Sequence, residues 1–276
     1  MTNPREILAE YGLSPKKALG QNFLHDPNAV EKIASIGVLS AEDAVLEVGP
    51  GVGALTEALA KRARRVVAVE LDTGLKPILE DRLKPYSNTE IVYGDILKLN
   101  PAELMGADAG NYGVAANVPY YITSAILRHF LEAEAKPRRL TIMMQMEVAE
   151  KLIAKPGDMS LLTVSVQYYA QAQIVVKFPP AVFFPRPEVY SAVVCLDVHE
   201  KPPVDAPETA FFRVAKAGFS QKRKQLKNSL GSGLHMSAAE AGELCTAAGI
   251  DPQRRPETLT LQEWGALARV GVGRNR

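Results

Sequence analysis

Asn117-Val118-Pro119-Tyr120 carries groups suited to chemistry at an amine. The exocyclic nitrogen of adenine is a poor nucleophile, because its lone pair is delocalised into the ring. Two acceptors on its N–H groups would draw the nitrogen towards tetrahedral geometry and free that pair. The Asn117 side-chain oxygen and the backbone carbonyl of Val118 or Pro119 can supply them. Proline fixes its own backbone angle and brings no competing N–H. Tyr120 offers a face for the base. A site of this kind needs no metal and no strong general base. It needs orientation, and acceptors aimed at developing positive charge.

A second stretch supplies a place for a co-substrate. Glu47-Val48-Gly49-Pro50-Gly51-Val52-Gly53 follows the apolar run Ala44-Val45-Leu46 and precedes an expected helix, Ala54 to Ala63. Strand, glycine turn and helix start come in immediate succession. Glycine permits positive φ and close approach of a ligand to the main chain, and a helix start adds free N–H groups and a positive dipole end. Gly49, Gly51 and Ala54 satisfy the relaxed dinucleotide fingerprint. Glu47, two residues before the first glycine, points instead to S-adenosylmethionine. Glu70 ends the next expected strand about 20 residues past Gly49, where such folds place the acid that takes the ribose hydroxyls. Asp95 ends the third strand, placed to accept from an adenine amine or, more plainly, to cap a turn.

The elements around these residues alternate. Strands are expected at Ala44–Leu46, Arg65–Val69, Glu90–Tyr93, Tyr112–Ala116 and Leu140–Met144, with helices between them. Short βα connections argue for a doubly wound parallel sheet, a Rossmann-like α/β fold. Leu161–Tyr169 is read as a helix, and Ile174–Phe178 and Ala192–Leu196 as strands. The proline-rich stretch Phe178 to Pro187 is expected to be a stiff loop presenting Phe183 and Phe184. Either ring could clamp the base opposite Tyr120, since an enzyme acting on a base must extrude it or find it unpaired. Lys201–Pro207 reads as a linker. Beyond it, helices at Thr209–Gly218, Gln221–Leu230, Ala238–Ala248 and Leu261–Val270 make a small α-helical domain, with Trp264 as its core anchor. The expected domains are 1–200, including an N-terminal arm, and 207–276.

Composition sets bounds. The chain has 276 residues and a net charge of +1, so bulk charge points to no partner. Cys195 and Cys245 form no close-spaced motif and indicate neither zinc nor a disulfide framework. No signal peptide and no membrane-length apolar run is visible, so a cytoplasmic protein is expected. Charge is nonetheless clustered. From Thr209 to Ala239 there is no acid, while Arg213, Lys216, Lys222, Arg223, Lys224 and Lys227 fall in that span. A charge run is usually a solvated face, but this one-sidedness against a neutral total favours phosphate contact. Lys16 and Lys17 would extend the track. The plainer reading of Lys16 to Leu24 is an arm packed on the core by Phe23 and Leu24.

Taken together, Lys17–Leu24, Glu47–Gly53, Glu70, Gly94-Asp95, Asn117–Tyr120, Phe183–Ser191 and Phe219–Leu230 resemble the ribosomal RNA adenine dimethyltransferase family, and most closely its bacterial small-subunit branch. The resemblance covers nearly the whole chain. It implies S-adenosylmethionine as cofactor, contacted by Asn22, Leu24, Gly49, Glu70, Asp95 and Asn117. Asn117 and Tyr120 would face the target adenine, with Phe183 stacking on it. It also implies a monomer acting on small-subunit ribosomal RNA or the assembling small subunit, dimethylating two adjacent adenines near the RNA 3′ end. Alternatives are a macrolide-resistance methyltransferase of large-subunit RNA, an assembly factor with dispensable catalysis, and a nicotinamide-dependent oxidoreductase. The last lacks a hydride partner, since His25, His129, His199 and His235 are scattered.

Overall fold

The computed structural model describes residues 3–221 and 223–273. The chain divides into two units, 1–149 with 172–198, and 150–171 with 199–276.

The first unit is built on a seven-stranded sheet. Before it come helix α1 (Pro4–Glu10), the short strand β1 (Phe23–Leu24) and α2 (Pro27–Gly37). Asp26 caps α2, its Oδ1 accepting the Ala29 N–H at 2.8 Å, and Pro27 sits in the first turn, where no N–H is needed. The alternation follows: β2 (Ala44–Val48), α3 (Ala54–Ala60), β3 (Arg65–Glu70), α4 (Lys76–Leu83), β4 (Thr89–Tyr93), α5 (Pro101–Met105), β5 (Tyr112–Asn117), α6 (Thr123–Leu131), β6 (Arg139–Gln145) and α7 (Met146–Leu152). After α8 (Leu161–Tyr169) come β7 (Ala170–Phe178), β8 (Phe183–Phe184) and β9 (Ser191–Val198).

The sheet order is β4-β3-β2-β5-β6-β9-β7. β2 pairs in parallel with both β3 and β5, so the winding reverses at β2. In such sheets ligands bind beyond the carboxyl ends of the strands flanking that reversal. Every residue of β2 is buried, as a central strand covered on both faces requires. The sheet is not parallel throughout: β9 runs antiparallel to β6, with Gln145 opposite Ser191.

The proline-rich stretch is more ordered than a loop. β8 pairs antiparallel with β1, Phe23 opposite Phe184 and Leu24 opposite Phe183. The arm is thus stitched to residues roughly 160 positions downstream, a pairing of high loop-closure cost that buried side chains must offset.

The second unit is helical: α8, α9 (Glu208–Gly218), α10 (Leu226–Leu234), α11 (Ala238–Ala247) and α12 (Leu261–Gly273). Residues 150–171 belong here, which corrects the expected 1–200 domain. The reason is aromatic packing. Tyr168 lies 4.5 Å from Phe211, ring centre to ring centre, and the Tyr169 hydroxyl donates to Glu208 at 2.7 Å. Trp264 is fully buried. A Cβ added to Gly218 would come within 2.4 Å of its ring. The helix expected from Gln221 begins only at Leu226. Arg223 takes φ 71°, which breaks a helix, and the N–H groups of Leu226 and Lys227 donate to the carbonyls of Arg254 and Pro252.

Candidate active site

The turn after β2 places Gly49, Gly51 and Gly53 at φ 73°, 60° and 83°. Residues with a Cβ rarely adopt these angles. Gly51 faces a second constraint, because a Cβ there would lie 2.9 Å from the Phe23 ring. The turn is tied to β3 by two hydrogen bonds: Gly49 N–H donates to the Val69 carbonyl, and Gly51 N–H donates to Glu70 Oε2, each at 3.0 Å.

A cleft opens at the carboxyl ends of β2, β3, β4 and β5. Gly49, Gly51, Glu70, Asp95, Asn117, Pro119 and Tyr120 line it, and so do Asn22 and Leu24 of the arm. Residues from four strand ends and a distant arm therefore meet in one space.

Glu70 is 6% exposed. Burial raises its pKa against the pull of the Asp72 and Gly51 N–H groups. Asp95 does both things the sequence allowed. It lines the cleft, and its Oδ1 accepts the Leu97 N–H at 3.1 Å as a cap.

Asn117 ends β5, directly beside the glycine turn, with Val48 paired to Ala116 one residue earlier. Its Nδ2 donates to the Asn22 carbonyl at 3.2 Å. That bond fixes the planar amide and turns Oδ1 the other way. Pro119 accepts the Ile122 N–H at 3.2 Å, so Val118 is the better backbone acceptor for a substrate amine. The Tyr120 hydroxyl is 2.7 Å from Ser191 Oγ at the start of β9. Burial raises its pKa, against the Ser191 hydrogen bond, so the phenol stays neutral.

The family described as ribosomal RNA adenine dimethylase matches residues 12–267. The chain belongs to this family. It is an S-adenosylmethionine-dependent ribosomal RNA adenine dimethyltransferase. The ribosomal RNA small subunit methyltransferase A of Dehalococcoides mccartyi strain CBDB1 is 45% identical over 268 residues, covering 97% of this chain and 92% of that protein. The protein of the same name from Geobacillus sp. strain WCH70 is 44% identical over 273 residues, covering 96% and 94%. Among solved structures, the 23S rRNA methyltransferase ErmE superposes with a TM-score of 0.71 at 28% identity, covering 90% of this chain and 98% of that one. A dimethyladenosine transferase from Plasmodium falciparum superposes at 0.73 with 23% identity and the same coverage, a likeness of fold alone.

Within this adenine dimethylase, three residues singled out from sequence sit elsewhere. Glu47 does not line the cleft. It alternates with Val48 along β2 and is 1% exposed, with neither oxygen hydrogen-bonded among the described residues. Phe183 is 2% exposed and packs among Leu24, Val30, Met143 and Val193. Pairing with β1 places its ring in the core, and it is not among the residues that line the cleft. Lys16 is not free for phosphate, since its Nζ lies 2.5 Å from Asp72 Oδ1. Lys17 is exposed. Arg223 and Lys224 are exposed in the turn before α10, and Lys227 is half-buried in its first turn. Lys222 lies outside the described residues. In the sequence Ser191 only closes the stretch Phe183–Ser191, with no role of its own, and Asp72 sits in no local pattern that marks it. Only the hydrogen bonds to Tyr120 and Lys16 single them out.

Proposed function

We propose that this protein transfers methyl groups from S-adenosylmethionine to the exocyclic amines of two adjacent adenines near the 3′ end of small-subunit ribosomal RNA, giving dimethyladenosines during ribosome biogenesis. It acts as a cytoplasmic monomer on small-subunit ribosomal RNA or the assembling small subunit. Among the described residues no helix is long and apolar enough to cross a membrane. The small-subunit target is favoured by 45% identity to a small-subunit enzyme against 28% to a 23S enzyme.

The cleft fits the cofactor. Gly49 has open space on its Cβ side save for the Asn117 carbonyl at 3.5 Å, so a ligand can lie against the main chain. Glu70 presents a carboxylate suited to vicinal hydroxyls, and Asp95 one suited to an adenine amine. Asn22, Leu24, Gly49, Gly51 and Asn117 complete the cradle. When bound, the cofactor supplies an electrophilic methyl group on a sulfonium.

The protein's own groups do the rest. Asn117 Oδ1 and the Val118 carbonyl accept the two amine hydrogens and draw the lone pair out of the adenine ring. Tyr120 offers its ring to the base, held in place through Ser191. Orientation and preset acceptors of this kind are worth several kcal/mol of barrier. Arg223, Lys224 and Lys227, with Lys222 and Lys17, supply phosphate contacts that hold RNA without reading its sequence.

The observation that carries the reading is the meeting of Asn117 and the glycine turn in one cleft across adjacent strands. The test is labelled methyl transfer to small subunits lacking the modification, with nucleoside analysis. Asn117→Ala should lower transfer by about a hundredfold or more while retaining the fold. Full activity in that variant would refute the mechanism.

A further inference from the structure

The arm that walls the cleft is pinned at two places. Leu19 to Leu24 form one side of the cavity. At one end the arm meets Asp72, just beyond β3. Lys16 Nζ lies 2.5 Å from Asp72 Oδ1, and Gln21 Nε2 donates to Oδ2 at 2.9 Å. The Lys16 N–H donates to Gln21 Oε1 at 2.8 Å, which closes the arm around the same carboxylate. Asp72 is itself 6% exposed. Its backbone N–H donates to Glu70 Oε1 at 2.8 Å, and the other Glu70 oxygen takes the Gly51 N–H. A continuous run of hydrogen bonds thus joins the arm, the strand-end carboxylate and the glycine turn.

At the other end the arm meets the catalytic loop. The Asn22 carbonyl holds the Asn117 amide. Gly20, at φ 60°, packs so closely that a Cβ would lie 3.0 Å from Pro119 and 3.2 Å from the Tyr121 ring. The arm therefore touches both halves of the site. Phe23 and Leu24 are each 5% exposed and anchor its far end in the core. Nothing comparable in apolar burial holds residues 16–21, which are exposed or half-buried. The side chains of Lys16 and Gln21 both donate their hydrogen bonds to Asp72.

We propose that Asp72 is a positioning residue: through Lys16 and Gln21 it holds the arm closed over the cofactor and sets how long the cofactor stays bound. The proposal rests on the reading of this cleft as the S-adenosylmethionine site. Lys16 then serves cofactor retention, and the phosphate contacts fall to other lysines. Asp72 is well suited to the role. Burial opposes its ionisation, but the bonds from Lys16, Gln21 and the Gly74 N–H outweigh it and keep its pKa below the usual aspartate value. A charged acceptor gives stronger hydrogen bonds than a neutral one. Lys16 is half-exposed, which tempers the gain.

The test is a double-mutant cycle of Lys16→Met, Asp72→Asn and the pair in the full chain. Two quantities are read: the dissociation rate of S-adenosylmethionine by stopped flow, and hydrogen exchange of residues 16–22 without cofactor. Each single change should speed dissociation by about tenfold, and the pair no more than either alone, as coupled residues do. Arm exchange should quicken in the same variants, while RNA affinity of Lys16→Met stays at the wild-type level. Lys16→Met alters a half-exposed side chain and should fold even if Asp72→Asn does not. Unchanged dissociation and exchange would mean that Phe23 and Leu24 hold the arm unaided, and simple additivity would mean the two residues act apart. Either result overturns the latch. If wild-type protein fails to bind S-adenosylmethionine, the cofactor reading falls, and exchange in the cofactor-free arm still decides the latch.

Discussion

Replacing Glu47 by glutamine probes what lies beneath the glycine turn. Glu47 is fully buried in the central strand. Burial pushes its pKa from 4.5 to about 8, and the Glu70 charge adds to the rise. The unfolded chain titrates this carboxyl near 4.5. Between about pH 4.5 and pH 8 the folded state therefore binds a proton that the unfolded state has released. Stability contributed at this position falls as pH rises through that window. Each pH unit is worth about 1.4 kcal/mol. By pH 7 the accumulated cost is about 3 kcal/mol. Glutamine has the same shape and never ionises. The variant should match wild type near pH 4.5 and exceed it by about 3 kcal/mol at pH 7. The assay is urea denaturation followed by circular dichroism from pH 4.5 to pH 8, without cofactor, because a ligand adds its own stabilisation. Titrating groups that do not interact with Glu47 cancel in the difference. Parallel pH curves for the two proteins would refute the argument, since they would show that Glu47 does not change its proton affinity on folding.

Two further outcomes follow from the site. Ser191→Ala leaves the half-buried Tyr120 hydroxyl without its partner, at a cost of about 1 kcal/mol. Methyl transfer per bound RNA should drop by roughly fivefold while calorimetric affinity for S-adenosylmethionine holds; an equal loss in both would point to a collapsed cleft instead. Changing Lys222, Arg223 and Lys224 together to alanine should weaken RNA binding and flatten its dependence on salt, leaving cofactor affinity unchanged. Salt-dependent RNA affinity equal to wild type would remove these residues from the interface.

The amino-acid sequence determined the sheet, the glycine turn and the catalytic loop, because each is written in neighbouring residues. A buried strand, a turn demanding positive φ and a helix start leave signatures within about ten positions. Asn117 to Tyr120 could be read as an acceptor pair beside an aromatic face for the same reason. The strand ends then followed from alternation, since Glu70 and Asn117 close the two parallel strands beside the winding reversal and Asp95 follows the next strand out. What the sequence left open depended on partners far along the chain. Phe183 looked like a base clamp until pairing with Leu24 turned it inward. Lys16 looked like a phosphate contact until Asp72, 56 residues away, was found beside it. Ser191 stands 71 residues from the tyrosine it holds. Glu47 carries the spacing of a cofactor ligand, yet its side chain is buried in β2 and does not line the cleft. Local patterns specify which backbone forms. The direction and protonation of a side chain depend on what tertiary packing sets against it.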